Sequence, residues 1–292
     1  MNFGRGMWLL VLAVLMIAVA PRVRGSDHGD TAVLIGIQRH DARITDLYAF
    51  TRGEDLVLAL GVDPTAPLGT TYVFPEDLTL RIFIDNDSEV LADGLLPFGG
   101  SVLDPGDISS DVTFIITFPR GRPKLRISGA RVKASELQFF AGLRDDPFIR
   151  TPRHGKNVAA IVIQIPLRKV MKRESTLLIW ATSEIPDFGG PQADLIGRAL
   201  RSQFPVTAAK TGEVFDNPLN VLHPTAAFEL LGAEPDVIIF DASQPAAFPN
   251  GRDLTDDVIR ELGMELPGED PSNHENDVPF LNSFPYLAPP QE

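Results

Sequence analysis

The sequence predicts a mainly β fold, a β-sandwich-like single domain with several helical insertions, and three observations lead there. Short apolar stretches rich in β-branched residues recur between clusters of Gly, Pro and Asp, which is the pattern of strands bounded by turns. Several of these stretches are apolar at nearly every position, as strands buried on both faces are. Strands and helices do not alternate regularly along the chain, which argues against a doubly wound parallel sheet.

Taken in order, the expected strands are Leu56 to Val62, Thr79 to Asp85, Val112 to Phe118, Leu125 to Ser128, Val158 to Ile165, Leu177 to Thr182 and Val237 to Phe240. Helical spacing of apolar residues is scarcer and predicts helices over Ala134 to Ala141, Ala193 to Phe204, Thr225 to Leu231 and Leu254 to Leu262. The last has Asp253 or Thr255 as its cap and Gly263 as its stop. One domain is the simpler count; the alternative is two β-rich halves meeting near Pro147 to Lys156. Leu266 to Pro279 reads as an acidic loop. Phe280 to Pro290 gathers Phe, Tyr, Leu and Pro, as a tail docked on the body would.

At the start of the chain, Arg5 precedes an unbroken apolar run from Met7 to Ala20, with Pro21 and Gly25 beyond it. That order predicts a secretory signal peptide over residues 1–25 and a β-rich body over residues 26–292. A permanent anchor needs ~20 apolar residues, more than this run supplies. Cleavage after Gly25 removes three arginines and no acid, taking the formal charge from -13 to -16. So acidic a surface repels phosphate backbones and anionic lipid heads, and nucleic acid and stable membrane insertion are not expected. With no cysteine, disulfides and thiolate chemistry are excluded even in a secreted or periplasmic setting.

No Gly-x-Ser-x-Gly elbow, His-Glu-x-x-His helix or phosphate-cradling Gly loop is present. The first positive candidate is the loop Asp85-Asn86-Asp87-Ser88-Glu89 with Asp93-Gly94, at the end of an apolar strand. Oxygen side chains at alternate positions of a tight loop are what Ca2+ takes. An EF-hand would place its bidentate Glu where Leu96 stands, so the loop is not an EF-hand. The alternative is a polar turn closing a strand. Asn86-Asp87-Ser88 is also a glycosylation sequon.

Cleavage after Gly25 would start the chain Ser26-Asp27-His28, whose amine, amide nitrogens and third-position imidazole form a square-planar set for Cu2+ or Ni2+. Otherwise Asp27 and His28 hydrogen-bond locally. Two acidic doublets, Asp145-Asp146 and Asp256-Asp257, invite a glycosidase reading. Adjacent residues on a strand point to opposite faces, however, so neither doublet is a catalytic pair in itself. Asp256 and Asp257 fit the first turn of the following helix, and Asp145, beside Arg144, fits an internal ion pair. His40, His154, His223 and His274 have no metal-ligand spacing.

Ser26-Asp27-His28, Ile44-Thr45-Asp46-Leu47-Tyr48-Ala49-Phe50 and Ile84-Asp85-Asn86-Asp87 together resemble the opening of the secreted family designated DUF4331. The likeness continues through Phe140-Ala141-Gly142-Leu143-Arg144-Asp145-Asp146-Pro147-Phe148 and Asn157 to Pro166. It closes on Phe248-Pro249-Asn250-Gly251-Arg252, Leu254, Asp256-Asp257-Val258 and Phe284-Pro285-Tyr286-Leu287. The chain departs from the family around Gly189 to Phe204, where Gly197-Arg198 is the remnant of a longer motif. The resemblance implies export and a β-rich fold; it implies no particular activity or cofactor. With the catalytic signatures missing, the expected function is a non-catalytic binding or structural protein, with calcium at the Asp85 loop as its candidate stabiliser. The rival is an extracellular or periplasmic hydrolase of a carbohydrate or ester, using Asp46, Asp85, Asp145 and His28.

Overall fold

In the computed structural model, which describes residues 32–92, 99–150, 153–172, 175–186, 192–199, 235–262, 272 and 274–292, every strand pairing is antiparallel. In chain order the strands are β1 (Ile44–Arg52), β2 (Asp55–Val62), β3 (Thr79–Asp85), β4 (Val90–Ala92), β5 (Gly100–Val102) and β6 (Val112–Thr117). There follow β7 (Lys124–Ser128), β8 (Gln138–Asp145), β9 (Asn157–Pro166), β10 (Thr176–Glu184), β11 (Asp194–Ile196) and β12 (Ile238–Asp241). The described helices are α1 (Ala32–Gly36) and α2 (Val258–Glu261), besides short 3-10 turns. No described helix is long and apolar enough to cross a membrane.

Two sheets face each other. The first has the order β1-β2-β9-β8 and the second β11-β10-β3-β6-β7, with β12 also on β10; β4 and β5 form a separate ribbon. β1 turns into β2 through Gly53-Glu54, with Gly53 at a φ of 62°, a conformation open to glycine without steric cost.

Side chains alternate across the strands, with β1 breaking step at the irregularity after Ile44. Leu56, Leu58 and Leu60 of β2 and Ile161, Ile163 and Ile165 of β9 meet Leu80, Ile82 and Ile84 of β3 and Phe114 and Ile116 of β6 in one buried core. The outer face of the first sheet is apolar too. Tyr48, Phe50, Val57, Ala59, Ala160 and Val162 lie there under Leu254, Tyr286 and Leu287, so the C-terminal segment is the cover that the two-faced apolar pattern demands. Outside β10, Leu178, Trp180, Leu195 and Ile239 pack with Val102 and Ile108.

The mainly β sandwich is as the sequence predicts, and Thr79–Asp85 is a strand to the residue. Two helical expectations are corrected. Ala134 to Ala141 is a 3-10 turn leading into β8, because residues 138–145 pair with β9 over their whole length. Residues 194–196 of the expected Ala193 to Phe204 helix are β11, paired with Ala181, Thr182 and Ser183 of β10. Leu254 to Leu262 contracts to α2, whose N-cap is Asp257 and not Asp253 or Thr255. The expected leader, Thr225 to Leu231, His223, Gly263 and Leu96 lie outside the described residues.

Candidate functional site

β3 ends at Asp85, and the next carboxylates close on it. Asp85 Oδ1 accepts from Asp87 N (3.1 Å) and Ser88 N (2.9 Å), and its Oδ2 from the Ser88 hydroxyl (2.7 Å) and Ser109 N (2.8 Å). Pairing of Ile84 with Val112 puts the residue before β6, Asp111, alongside, and its Oδ2 accepts from Asn86 N at 3.0 Å. One oxygen from each of Asp85, Asp87 and Asp111 lies within 4.8 Å of the others. The Lys172 ammonium donates to Asp87 at 2.7 Å and also to Asp111, and these bonds raise its pKa to about 12. Glu89 is exposed on the turn into β4 and takes no part in the trio. Asp93, Asp27 and His28 lie outside the described residues.

A second group of charges is buried against the outer face of the first sheet. A bulge between Ile44 and Asp46 shifts the β1 register, and bulges re-aim the side chains that follow. Asp46, fully buried, accepts from Arg252 Nη2 at 3.1 Å on Oδ1, with the Tyr48 hydroxyl 3.4 Å from the same oxygen. Asp46 Oδ2 has no hydrogen-bond partner. The guanidinium of Arg252 also lies 4.0 Å over the Tyr48 ring, a cation–π contact. Arg252 reaches this place because Gly251, at a φ of 69°, brings its backbone within the space a Cβ would need beside the Ala49 carbonyl. Arg252 and Ala49 then exchange backbone hydrogen bonds at 2.9 and 3.1 Å. Asn250 closes the same loop through Asp241 and Pro245.

Burial, with the neighbouring Asp146 charge second, holds the Asp46 carboxyl well above the usual carboxylate range. Burial likewise lowers Arg252 to about 9, against the pull of Asp256. Asp146 is also raised by burial, with Arg153 opposing; Arg153 Nε donates to it at 2.7 Å and Phe148 N at 3.0 Å.

Among the described residues Asp145 forms no ion pair, and its neighbour Arg144, from which one was expected, does not reach it. The carboxylate turns away and accepts from the side-chain amides of Asn276 (2.6 Å) and Gln291 (2.7 Å), while Arg144 stacks 3.9 Å over Phe140. Burial raises Asp145 to about 7. The second doublet divides its work. Asp256 accepts from Phe248 N and Asp253 N and is raised by burial. Asp257 caps α2 through Arg260 N, takes a two-point contact from Arg150 and faces His274 at 3.0 Å. Burial works against it, but these donors hold its pKa below the usual value.

The sequence thus marked Asp46, Tyr48, Arg252 and Asp256 as separate features, and the fold gathers them near one sheet face, while Asp257 pairs with Arg150 at the start of α2. It missed Asp111, Lys172, Arg150 and Arg153. Asp111 was legible in part, as an acid immediately before an expected strand, but only the strand pairing puts it beside Asp85. No family model matches the chain, no curated protein does, and no solved structure does.

Proposed function

We propose that the chain is an exported, non-catalytic binding or structural protein of the DUF4331 kind, whose conspicuous carboxylates serve the fold. One observation carries the reading: the acids a hydrolase would draw on are engaged by protein donors. Asp85 accepts four hydrogen bonds within its turn. Asp146 is held by Arg153, Asp257 by Arg150, and Asp46 by Arg252. A glycosidase needs two carboxyl groups ~5–9.5 Å apart, both facing a substrate. Asp145, at about 7, has the proton affinity of a general acid, yet it is 1% exposed and both its oxygens accept from amides.

Calcium enters this reading as a competitor of Lys172. The ammonium now neutralises Asp87 and Asp111 from a half-exposed position, and a cation bound among the three carboxylates would displace it. Millimolar calcium then raises the melting temperature of the full chain, and more so in Lys172→Met, which removes the competitor. An unchanged melting temperature in both proteins sets calcium aside.

The functional test compares the full chain with the Asp46→Asn/Asp145→Asn variant on chromogenic glycosides and esters. Equal, buffer-like rates are expected. Turnover by the parent chain that the variant loses would establish the hydrolase instead.

A further inference from the structure

The net charge of -13 conceals a local reversal. From Val112 to Ser135 the chain carries Arg120, Arg122, Lys124, Arg126, Arg131 and Lys133 and no carboxylate. Setting those six aside leaves 20 Lys and Arg against 39 Asp and Glu, a charge of -19 on everything else. All six are exposed. They line β7 and the turns at its two ends, and β7 is the last strand of its sheet among the described residues.

The strand's pattern makes the row regular. Leu125 and Ile127 turn inward against the core, so Lys124, Arg126 and Ser128 share the outward face. Two residues of strand space the charges by about 6.7 Å. Opposite them on β6 stand Thr117, Ile115 and Thr113, and beyond on β3 Thr79, Arg81 and Phe83. Lys124, Arg126 and the hydroxyls of Thr117, Thr113 and Ser128 therefore share this part of the sheet, while Ile115 is nearly buried between Arg126 and Arg81, and Arg81 is paired with Glu184. The first acid past the strip, Glu136, is taken up by Arg168 and Lys169.

We propose that this strip is the docking surface for a linear acidic polysaccharide, a chain of uronate- or sulfate-bearing sugars. The inference rests on the non-catalytic binding reading and gives it a partner class. A single polymer chain can follow the strip and avoid the acidic remainder; the acids near it, Asp111 beside Gly129 and Glu184 on Arg81, are already paired with Lys172 and Arg81. A membrane plane or a second copy of this protein would confront that remainder directly. Nucleic acid fits less well, since the strip's two aromatic residues, Phe114 and Phe118, are buried and Phe83, two strands over, is already stacked on Trp180, whereas single strands rely on rings on which bases stack. The threonine and serine hydroxyls are suited to hydrogen-bond the hydroxyls of sugars.

The test titrates the full chain with polygalacturonate and dextran sulfate at low salt, beside neutral dextran, a single-stranded oligonucleotide and phosphatidylserine vesicles. Binding to the two acidic polysaccharides alone is expected, lost as salt rises to about 0.5 M. Lys124→Glu/Arg126→Glu should weaken it tenfold or more, about 1.4 kcal/mol. Arg131→Glu/Lys133→Glu, in the turn outside the strand, should weaken it too. Lys156→Glu/Arg260→Glu makes the same net charge change away from the strip and should leave it within about twofold. Absent binding at low salt, equal loss in the control variant, or tighter binding to the oligonucleotide or vesicles would overturn the proposal. Such a failure without hydrolytic turnover would leave the non-catalytic reading standing, whereas turnover would remove that reading whatever the strip binds.

Discussion

Arg252 and Asp46 show how a buried charge is tolerated here. Each is within a few per cent of full burial, and desolvation pushes both toward their neutral forms, raising the acid and lowering the base. Their contact, with the Tyr48 ring and hydroxyl, offsets that cost. Removing one partner of a buried pair costs ~3–5 kcal/mol because the other is stranded. Arg252→Met should therefore lower stability by about 3 kcal/mol in denaturant unfolding. Asp46→Asn should cost less, since the folded environment already favours the uncharged form. Equal or reversed losses would contradict this order. Neither residue's role was readable in advance: they are 206 positions apart, and the bulge and the Gly251 approach that join them are tertiary features.

At the scale of elements, the strands of the core were the most legible part. β3 and β9 consist of apolar runs with no competing helical spacing, and the pattern alone sufficed. β8 was not legible. Its Phe139, Phe140 and Ala141 fit either period, and what decides is the free edge of β9, which a local reading does not contain. The tail was anticipated as docked, and the reason is now visible. Tyr286 fills the outer face of the first sheet, edge-on to Phe50 at 6.1 Å, and donates its hydroxyl to Gln164 at 2.9 Å. Tyr286→Ala removes both ring and bond and should cost ~3 kcal/mol, near the lower end for a buried aromatic. Hydrogen exchange at Val57, Ala59, Ala160 and Val162 should then quicken relative to the inner core. Protection unchanged at these amides would mean that the tail is not their cover.

For the molecule as a whole, an acidic chain without disulfides is held by a two-sheet core and by carboxylates drawn inside it. Composition gave the charge and the lack of cysteine, and patterning gave the sandwich. The local reversal of charge along β7 was present in the sequence yet hidden by the total. Inward placement of the acids has a signature in pH. Asp145 titrates at about 7 in the folded chain against 3.8 for the unperturbed group. Its contribution is therefore complete below 3.8 and is lost as pH rises through 7. Asp46, Asp146 and Asp256 are shifted in the same direction. Asp241 and Asp257, which are lowered, act only at more acidic pH. The most direct test that these carboxylates belong to the fold is the melting temperature of the full chain and of Asp145→Asn between about pH 4 and pH 8. The parent should lose stability as pH rises across that window, and the variant should lose distinctly less. A parent that gains stability with pH, or a variant with the same slope, would contradict the account.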